Sequence, residues 1–474
     1  MKTYLFYDIE TSGLNPAFDQ VLTFAAIRTD LELNELERTT ITIRLRKDVV
    51  PSPYAFITHR LTFKELAAGV SEYNAARAIH ELVNRPGTIS LGYNSLGFDD
   101  EFLRFLFYRN LLNPYSHQYS QGCSRMDILP VTVIFRLFCP MDLNWPMIDG
   151  KPSLKLEWIS RDNAFATSGK AHEAMNDVEA LVALSRTFFR EKRVWDYSLD
   201  FFNKQKEGVR IAGIKKEYQI GGQPVLVAIM VSTSFGSDRN YMAPVLLVGG
   251  SEPYKNQTIW LRLDRDEIPG VGPDDEPFQM MVIRKRSADA YIVLPPLERF
   301  WQRLSPEVQA QVQRNLSFLD AHYGDYLAAA RFHCRFKYPD IPEMDMDARL
   351  YQDGFFSRQE KADIKRFHNA GEKEKPKVLE LLSSARIKGI ARRILYRNMG
   401  ESRLPKDVLA ELQLCLDRLR QGREDERFIG FRSDWKFTCD QAGEDLARIR
   451  EESSGLDPEQ QELVRQVTAY LSQF

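Results

Sequence analysis

Tyr7-Asp8-Ile9-Glu10-Thr11 sets two carboxylates two positions apart at the end of an apolar run. Side chains alternate along a strand, so a strand here projects Asp8 and Glu10 from one face. Two carboxylates brought close together repel each other and lose water, an arrangement that a cation between them stabilises. Oxygen-only ligands suit Mg²⁺ or Mn²⁺, hard ions that keep several waters. An exposed strand end with incidental charges has the same spacing, so this pair alone leaves both readings open.

Two later segments add acidic residues. Gly92-Tyr93-Asn94-Ser95-Leu96-Gly97-Phe98-Asp99-Asp100 leaves a strand through a turn and enters a helix, on which Phe98, Phe102, Phe105 and Leu106 form an apolar stripe. Asp99 then stands where the strand's carboxyl end opens into a crevice, or it caps the helix. In Ala171-His172-Glu173-Ala174-Met175-Asn176-Asp177, five residues separate histidine from aspartate, which is not a helical repeat. We therefore place His172 on a loop and Asp177 on the following helix, near Ala174 and Leu181 and turned toward the sheet. An aspartate on an inner face is poorly placed unless it binds something. A lone histidine is more often structural, so His172 alone decides nothing.

These residues need a scaffold, and the first 190 residues read as α/β. Strands are expected at 3–10, 21–29 and 39–45 with short connections, an antiparallel meander. A helix over 71–83 behind Ser71, a strand over 88–94, a helix from Asp99 to Arg109 and a closing helix over 173–190 complete a mixed sheet with helices on it. From about 195 to 300, glycine and proline punctuate short apolar runs, as in a small β-rich domain. Ser305-Pro306 opens appended helices. Beyond 350 the chain reads as helix, and Asp457-Pro458-Glu459 starts the last one, with Leu463, Val464, Val467 and Leu471 as its core stripe. The expected domains are 1–190, 195–345 and 350–474.

The 474 residues are 43% hydrophobic and 27% charged, which excludes a mostly disordered chain. No apolar run of about 18 residues marks a membrane span, and the N-terminus turns acidic too early for a signal peptide. Five cysteines are scattered without a CxxC pair, so a reducing compartment, the cytoplasm, is expected. Net charge is −2, so any nucleic-acid partner must be argued from sites rather than bulk charge.

Asp-x-Glu on the first strand, Asn-x3-Phe-Asp after a later strand and His-x4-Asp opening a late helix, in this order, resemble the DEDDh family of 3′→5′ exonucleases, with its ribonuclease-H-like fold. Within it the chain is similar to the bacterial exonuclease I family. The segments that carry this are YDIETSGLNPAFDQVLTFAAIRTD, LGYNSLGFDDEFLRFLFYRNLLNPY, NWP at 144–146, PSLKLEWI at 152–159, AHEAMNDVEA, VSTSFGSDRNYMAP and ARLYQDGFFS. The resemblance implies an exonuclease domain, a small SH3-like β-rich domain and a C-terminal helical domain. It also implies two Mg²⁺ ions, with Mn²⁺ as a substitute. Asp8, Glu10 and Asp177 would hold the first, Asp8 would bridge to the second, and Asp99 would help hold it. His172 would be the general base, the product a nucleoside 5′-monophosphate, and the setting DNA repair and recombination.

Single-stranded DNA is the implied substrate, with Arg104, Tyr115, Tyr119 and Arg125 near the site. Lys204, Arg239, Tyr351, Phe355 and Phe356 lie further along the strand's path. Lys155 stands where the family pattern has arginine, keeping the charge and losing the planar fork. Arg392, Arg393 and Arg397 either line a groove or form a solvated face. The implied partner is the acidic, phenylalanine-ended C-terminal tail of single-stranded DNA-binding protein, with no membrane partner and a monomeric state. An RNA-trimming enzyme of the same fold is the alternative within the class, and a catalytically silent strand-binding scaffold is the alternative outside it. The length beyond catalytic need further implies that a chain shortened to end near Met346 would still cleave, but distributively, provided the surface this exposes stays soluble.

Overall fold

Near-continuous apolar runs draw Thr3–Thr11 (β1) and Val21–Thr29 (β2) into the middle of a sheet. The computed structural model describes residues 2–165, 174–265, 268, 272, 276–423, 426–452 and 455–474. Every residue of β2 is buried, as a central strand covered on both faces requires. Glu35–Thr42 (β3) pairs with it at the sheet edge, with Glu35, Leu36, Glu37 and Arg38 solvated or half-buried. The sequence reading starts that strand at 39 because the charged residues interrupt its apolar run. Thr88–Gly92 (β4) lies parallel to β1, and Ser124–Asp127 (β5) closes the order β3-β2-β1-β4-β5. A parallel neighbour demands a crossover, which includes the helix Glu72–Val83. Ser71 occupies that helix's N-cap position, but its side chain makes no cap hydrogen bond.

Contacts group the chain into two compact units, neither of them contiguous. One comprises residues 1–125, 166–182 and 340–474; the other comprises 126–165 and 183–339. These units cross the boundaries expected near 190 and 345. The physical reason is visible inside the first unit, where the sheet's helices are sandwiched. The helix Asp99–Arg109 was expected to bury one stripe, yet all its residues are buried. Phe102, Leu103, Leu106 and Phe107 pack with Leu5, Tyr7 and Ile79, while Phe105 and Tyr108 pack with Leu350, Ile387 and Ile390 of the C-terminal segment.

That C-terminal segment contains the helices Ala385–Asn398, Lys406–Gln421, Cys439–Glu451 and Pro458–Leu471. Asp457 caps the last of them by accepting from the Gln460 amide, and its Val464 and Val467 meet Leu22, Phe56 and Leu66, so the stripe is core. Ion pairs are buried along the same seam. Asp48 accepts from Arg397 at 2.8 Å and Lys436 at 3.2 Å, and Glu72 accepts from Arg46 and Arg109, both at 3.0 Å. Arg393 pairs with Asp345 at 2.6 Å, and Arg392 pairs with Glu411 at 2.7 Å. These three arginines therefore form no free solvated face. They join acidic residues within the unit.

The second unit is built on a wholly antiparallel sheet. Its order is Val282–Arg286, Gln257–Arg262, Met242–Gly250, Val227–Val231 and Ile292–Leu294. Its residues divide between faces: Val227, Leu246 and Leu261 pack with Val312 and Leu316, while Met230, Val245 and Trp260 form a second cluster. The helix Pro306–Ala321 begins as expected, the Ser305 hydroxyl accepting from the Val308 amide. The fold is thus an α/β mixed sheet covered by helices, a small antiparallel β-rich domain with appended helices, and a helical C-terminal region, as the resemblance implies. No helix among the described residues is long and apolar enough to cross a membrane.

Candidate functional site

β1 has antiparallel β2 on one side and parallel β4 on the other, so the carboxyl ends of β1 and β4 open together. Leu5, Tyr7 and Ile9 face the helices of the sheet's apolar layer. By alternation Asp8 and Glu10 project from the opposite face, where the helix Ala174–Phe189 brings Asp177. Asp8, Glu10 and Asp177 each offer a ligand atom within 4.8 Å of the others. Ala174, Val178 and Leu181 of that helix are buried and fix its inner face.

Asp99 is the fourth acidic group. It is the first residue of its helix, behind Phe98 at the N-cap position, and is itself buried. It therefore does not cap the helix. Burial, and then the charges of Asp99, Glu10 and Asp177, push the Asp8 carboxyl well above the usual carboxylate range. Glu10 is pushed up to about 8 by burial and by the charges of Asp177 and Asp99. Without a cation these side chains resist ionising together. Four acidic oxygen donors with no basic residue among the causes of these shifts fit a hard divalent ion.

The loop after β1 is held rigid. The Ser12 hydroxyl donates to Asp19 at 2.9 Å and the Asn15 amide donates to its other oxygen at 2.8 Å. A Cβ at Gly13 would run into that carboxylate, so only glycine fits. His172 lies outside the described residues.

The strand-binding candidates of the first unit divide into two kinds. Arg104 is only 5% exposed, pairing with Asp100 at 2.6 Å and donating to the Tyr351 hydroxyl at 3.3 Å. Arg125 also pairs with Asp100, and His117 Nε2 lies 3.0 Å from it. Burial would raise the Asp100 pKa, but Arg104, Arg125 and His117 outweigh it and hold the carboxyl far below its usual range. Neither Asp100 nor His117 belongs to a site motif, and the only sequence signal for this cluster is the doubled aspartate. Phe356 stacks on Tyr108 at 6.2 Å and carries the Arg386 guanidinium, so it serves packing. Tyr119 and Phe355 are instead 66% and 82% exposed, and Tyr115 meets Phe355 edge-on. Tyr351 keeps its ring partly exposed while its hydroxyl donates to Glu101 at 3.0 Å.

The remaining candidates belong to the second unit. Lys155 is exposed at the N-cap of the helix Leu156–Asp162, and Lys204 is exposed and donates to Asn256. Arg239 pairs with Asp264 at 2.5 Å and keeps about a third of its side chain exposed (37%).

Residues 5–185 match the exonuclease domain family. Over 94% of this chain and 95% of the relative, the sequence is 29% identical to exodeoxyribonuclease I of Escherichia coli (strain K12). The fold matches the crystal structure of E. coli exonuclease I in complex with a dA16 oligonucleotide. The TM-score is 0.81 at 26% identity, over 100% of both chains. It also matches the zinc-ion-bound form of the E. coli enzyme's complex with single-stranded DNA, with TM-score 0.83, 26% identity, 100% of this chain and 99% of the other.

Proposed function

We propose, for a chain that belongs to the exodeoxyribonuclease I family and is a hydrolytic nuclease, that it removes nucleotides from the 3′ end of single-stranded DNA and releases nucleoside 5′-monophosphates. The observation that carries this reading is the convergence of Asp8, Glu10 and Asp177, with Asp99 close enough to raise the pKa of both Asp8 and Glu10. Asp8, Glu10, Asp177 and Asp99 would hold two Mg²⁺ ions, and Mn²⁺ suits the same oxygens. Bound ions supply Lewis acidity, which promotes attack by water and stabilises the leaving 3′-oxygen. His172 accepts the proton of the attacking water, because a histidine with an unperturbed pKa of about 6.5 suits that task near neutral pH.

The substrate class is supported by the DNA-bound relatives of this fold. Exposed Tyr119 and Phe355 offer faces on which bases stack, and Lys155, Lys204, Arg239 and Arg125 offer cations for phosphates. Buried Arg104 acts by holding Asp100 and Tyr351 in place. The division of labour follows the segments 1–190 for cleavage, 195–345 and 350–474 for holding the strand. The protein would act as a cytoplasmic monomer in DNA repair and recombination, recruited by the C-terminal tail of single-stranded DNA-binding protein.

The test compares labelled single-stranded DNA, duplex DNA and RNA, each in Mg²⁺ and in EDTA, with wild type and Asp8→Ala. Cleavage of the single strand alone, from its 3′ end, in Mg²⁺ and by wild type only, is expected. Preferential cleavage of RNA would overturn the substrate reading. If Asp8→Ala kept a tenth of wild-type turnover, the metal assignment would fail.

A further inference from the structure

We propose that the loop Phe431–Trp435 forms a nucleotide-binding subsite beside the carboxylate centre, with the Trp435 ring as a platform on which one base of the substrate strand stacks. This rests on the single-stranded substrate proposed above.

Two tethers place the loop. Asp434 accepts from Asn15 Nδ2 at 2.9 Å, and Asn15 follows Glu10 by five residues, at most about 18 Å of extended chain. Arg432 pairs with Glu101 at 2.5 Å, and Glu101 stands two residues beyond Asp99 on the same helix, about 3 Å along its axis and about 200° around it. One short loop is thus fastened to the loop that follows β1 and to the helix that carries Asp99.

The loop is built rather than merely exposed. The Gly430 amide donates to the Asp434 carbonyl at 2.7 Å, and a Cβ at Gly430 would collide with the Asp434 side chain. On one flank Phe431 packs against Phe105 at 4.9 Å and Tyr351 at 5.4 Å. On the other, Lys436 is buried against Asp48 at 3.2 Å. Between these anchors Trp435 stays 51% exposed and Arg432 is solvated. The Arg427 guanidinium sits over the Trp435 ring at 5.0 Å.

A half-exposed indole held by fixed backbone is a face already in place for a flat ring to cover. An indole with the Arg427 guanidinium over its ring and Arg432 in the same loop is what a single strand takes: a base stacks on the ring and phosphates lie by the cations. Adjacency to the centre restricts the stacked base to the few nucleotides nearest the 3′ end.

Two measurements test this on the full chain. Wild-type protein is irradiated in EDTA with single strands carrying 5-iodouracil at successive positions from the 3′ end, and the crosslinked peptides are mapped. A crosslink to Trp435 from one or two positions near the 3′ end is expected; none from any position overturns the subsite. Trp435→Ala should weaken strand binding in EDTA on the order of tenfold, with Trp435→Phe restoring most of it. Equal affinities of wild type and both variants would also overturn it. If wild type bound no single strand at all, the substrate reading itself would fall, a result distinct from binding that ignores Trp435.

Discussion

Glu10 shows how single residues set the behaviour of the centre. Its pKa of about 8 in the metal-free fold lies above its ordinary 4.5, so the folded chain keeps a proton that the unfolded chain has released between those values. The stability of metal-free protein therefore falls as pH rises from about 4.5 to about 8. Removing the charge removes the penalty: Glu10→Gln should raise the melting temperature in EDTA at pH 8 and leave it nearly unchanged at pH 5. Mg²⁺ should raise wild type at pH 8 more than the variant. Equal melting of both proteins in EDTA at pH 8 would contradict the like-charge account. His172→Ala is a separate matter: turnover should drop about 10²–10⁴-fold while calorimetric titration still detects metal uptake. Lost metal affinity would make His172 a ligand. At this scale the two-residue spacing of Asp8 and Glu10 was legible because strand alternation is local. The fate of Arg104 was not, since its partners Asp100 and Tyr351 come from a doubled aspartate and a segment 247 residues away.

Elements were legible to the extent that their apolar pattern was unbroken. The helix Asp99–Arg109 starts and stops where its sequence says, and β2 matches its expected span. What local pattern could not give is which surface covers an element. A stripe of phenylalanines predicts one buried face, whereas the observed helix is enclosed because the C-terminal segment covers the other. Phe105 lies on that second face, fully buried, 4.9 Å from Phe431 and 5.6 Å from Tyr351. Phe105→Ala should cost about 3–5 kcal/mol in urea unfolding, a value that would be far smaller if only the sheet side were packed. Because Asp99 is carried by the same helix, the variant should also bind Mg²⁺ more weakly at temperatures where it remains folded.

For the whole molecule, the packing bears on the condition attached to the shortened chain, that its newly exposed surface stays soluble. Ending the chain near Met346 removes Arg397 and Lys436, two of the cations buried against Asp48. It also uncovers Ala17, Phe18, Val50, Tyr73, Phe105 and Tyr108, all members of the core shared with the C-terminal helices. Burying a large apolar side chain contributes about 1.5–3 kcal/mol, so this surface is worth on the order of 10 kcal/mol, comparable with the entire stability of a typical domain. The shortened chain should therefore show no cooperative thermal transition, expose apolar surface to a hydrophobic dye and fail to cleave. Strand retention between cuts has to be probed on the intact chain instead, where Phe355→Ala at an 82% exposed position leaves the shared core untouched. With excess trap DNA present, that variant should release longer partly digested strands than wild type after one encounter. A chain ending at Met346 that melts cooperatively and cleaves in Mg²⁺ would show that the sheet and its carboxylates stand without the helices that cover them.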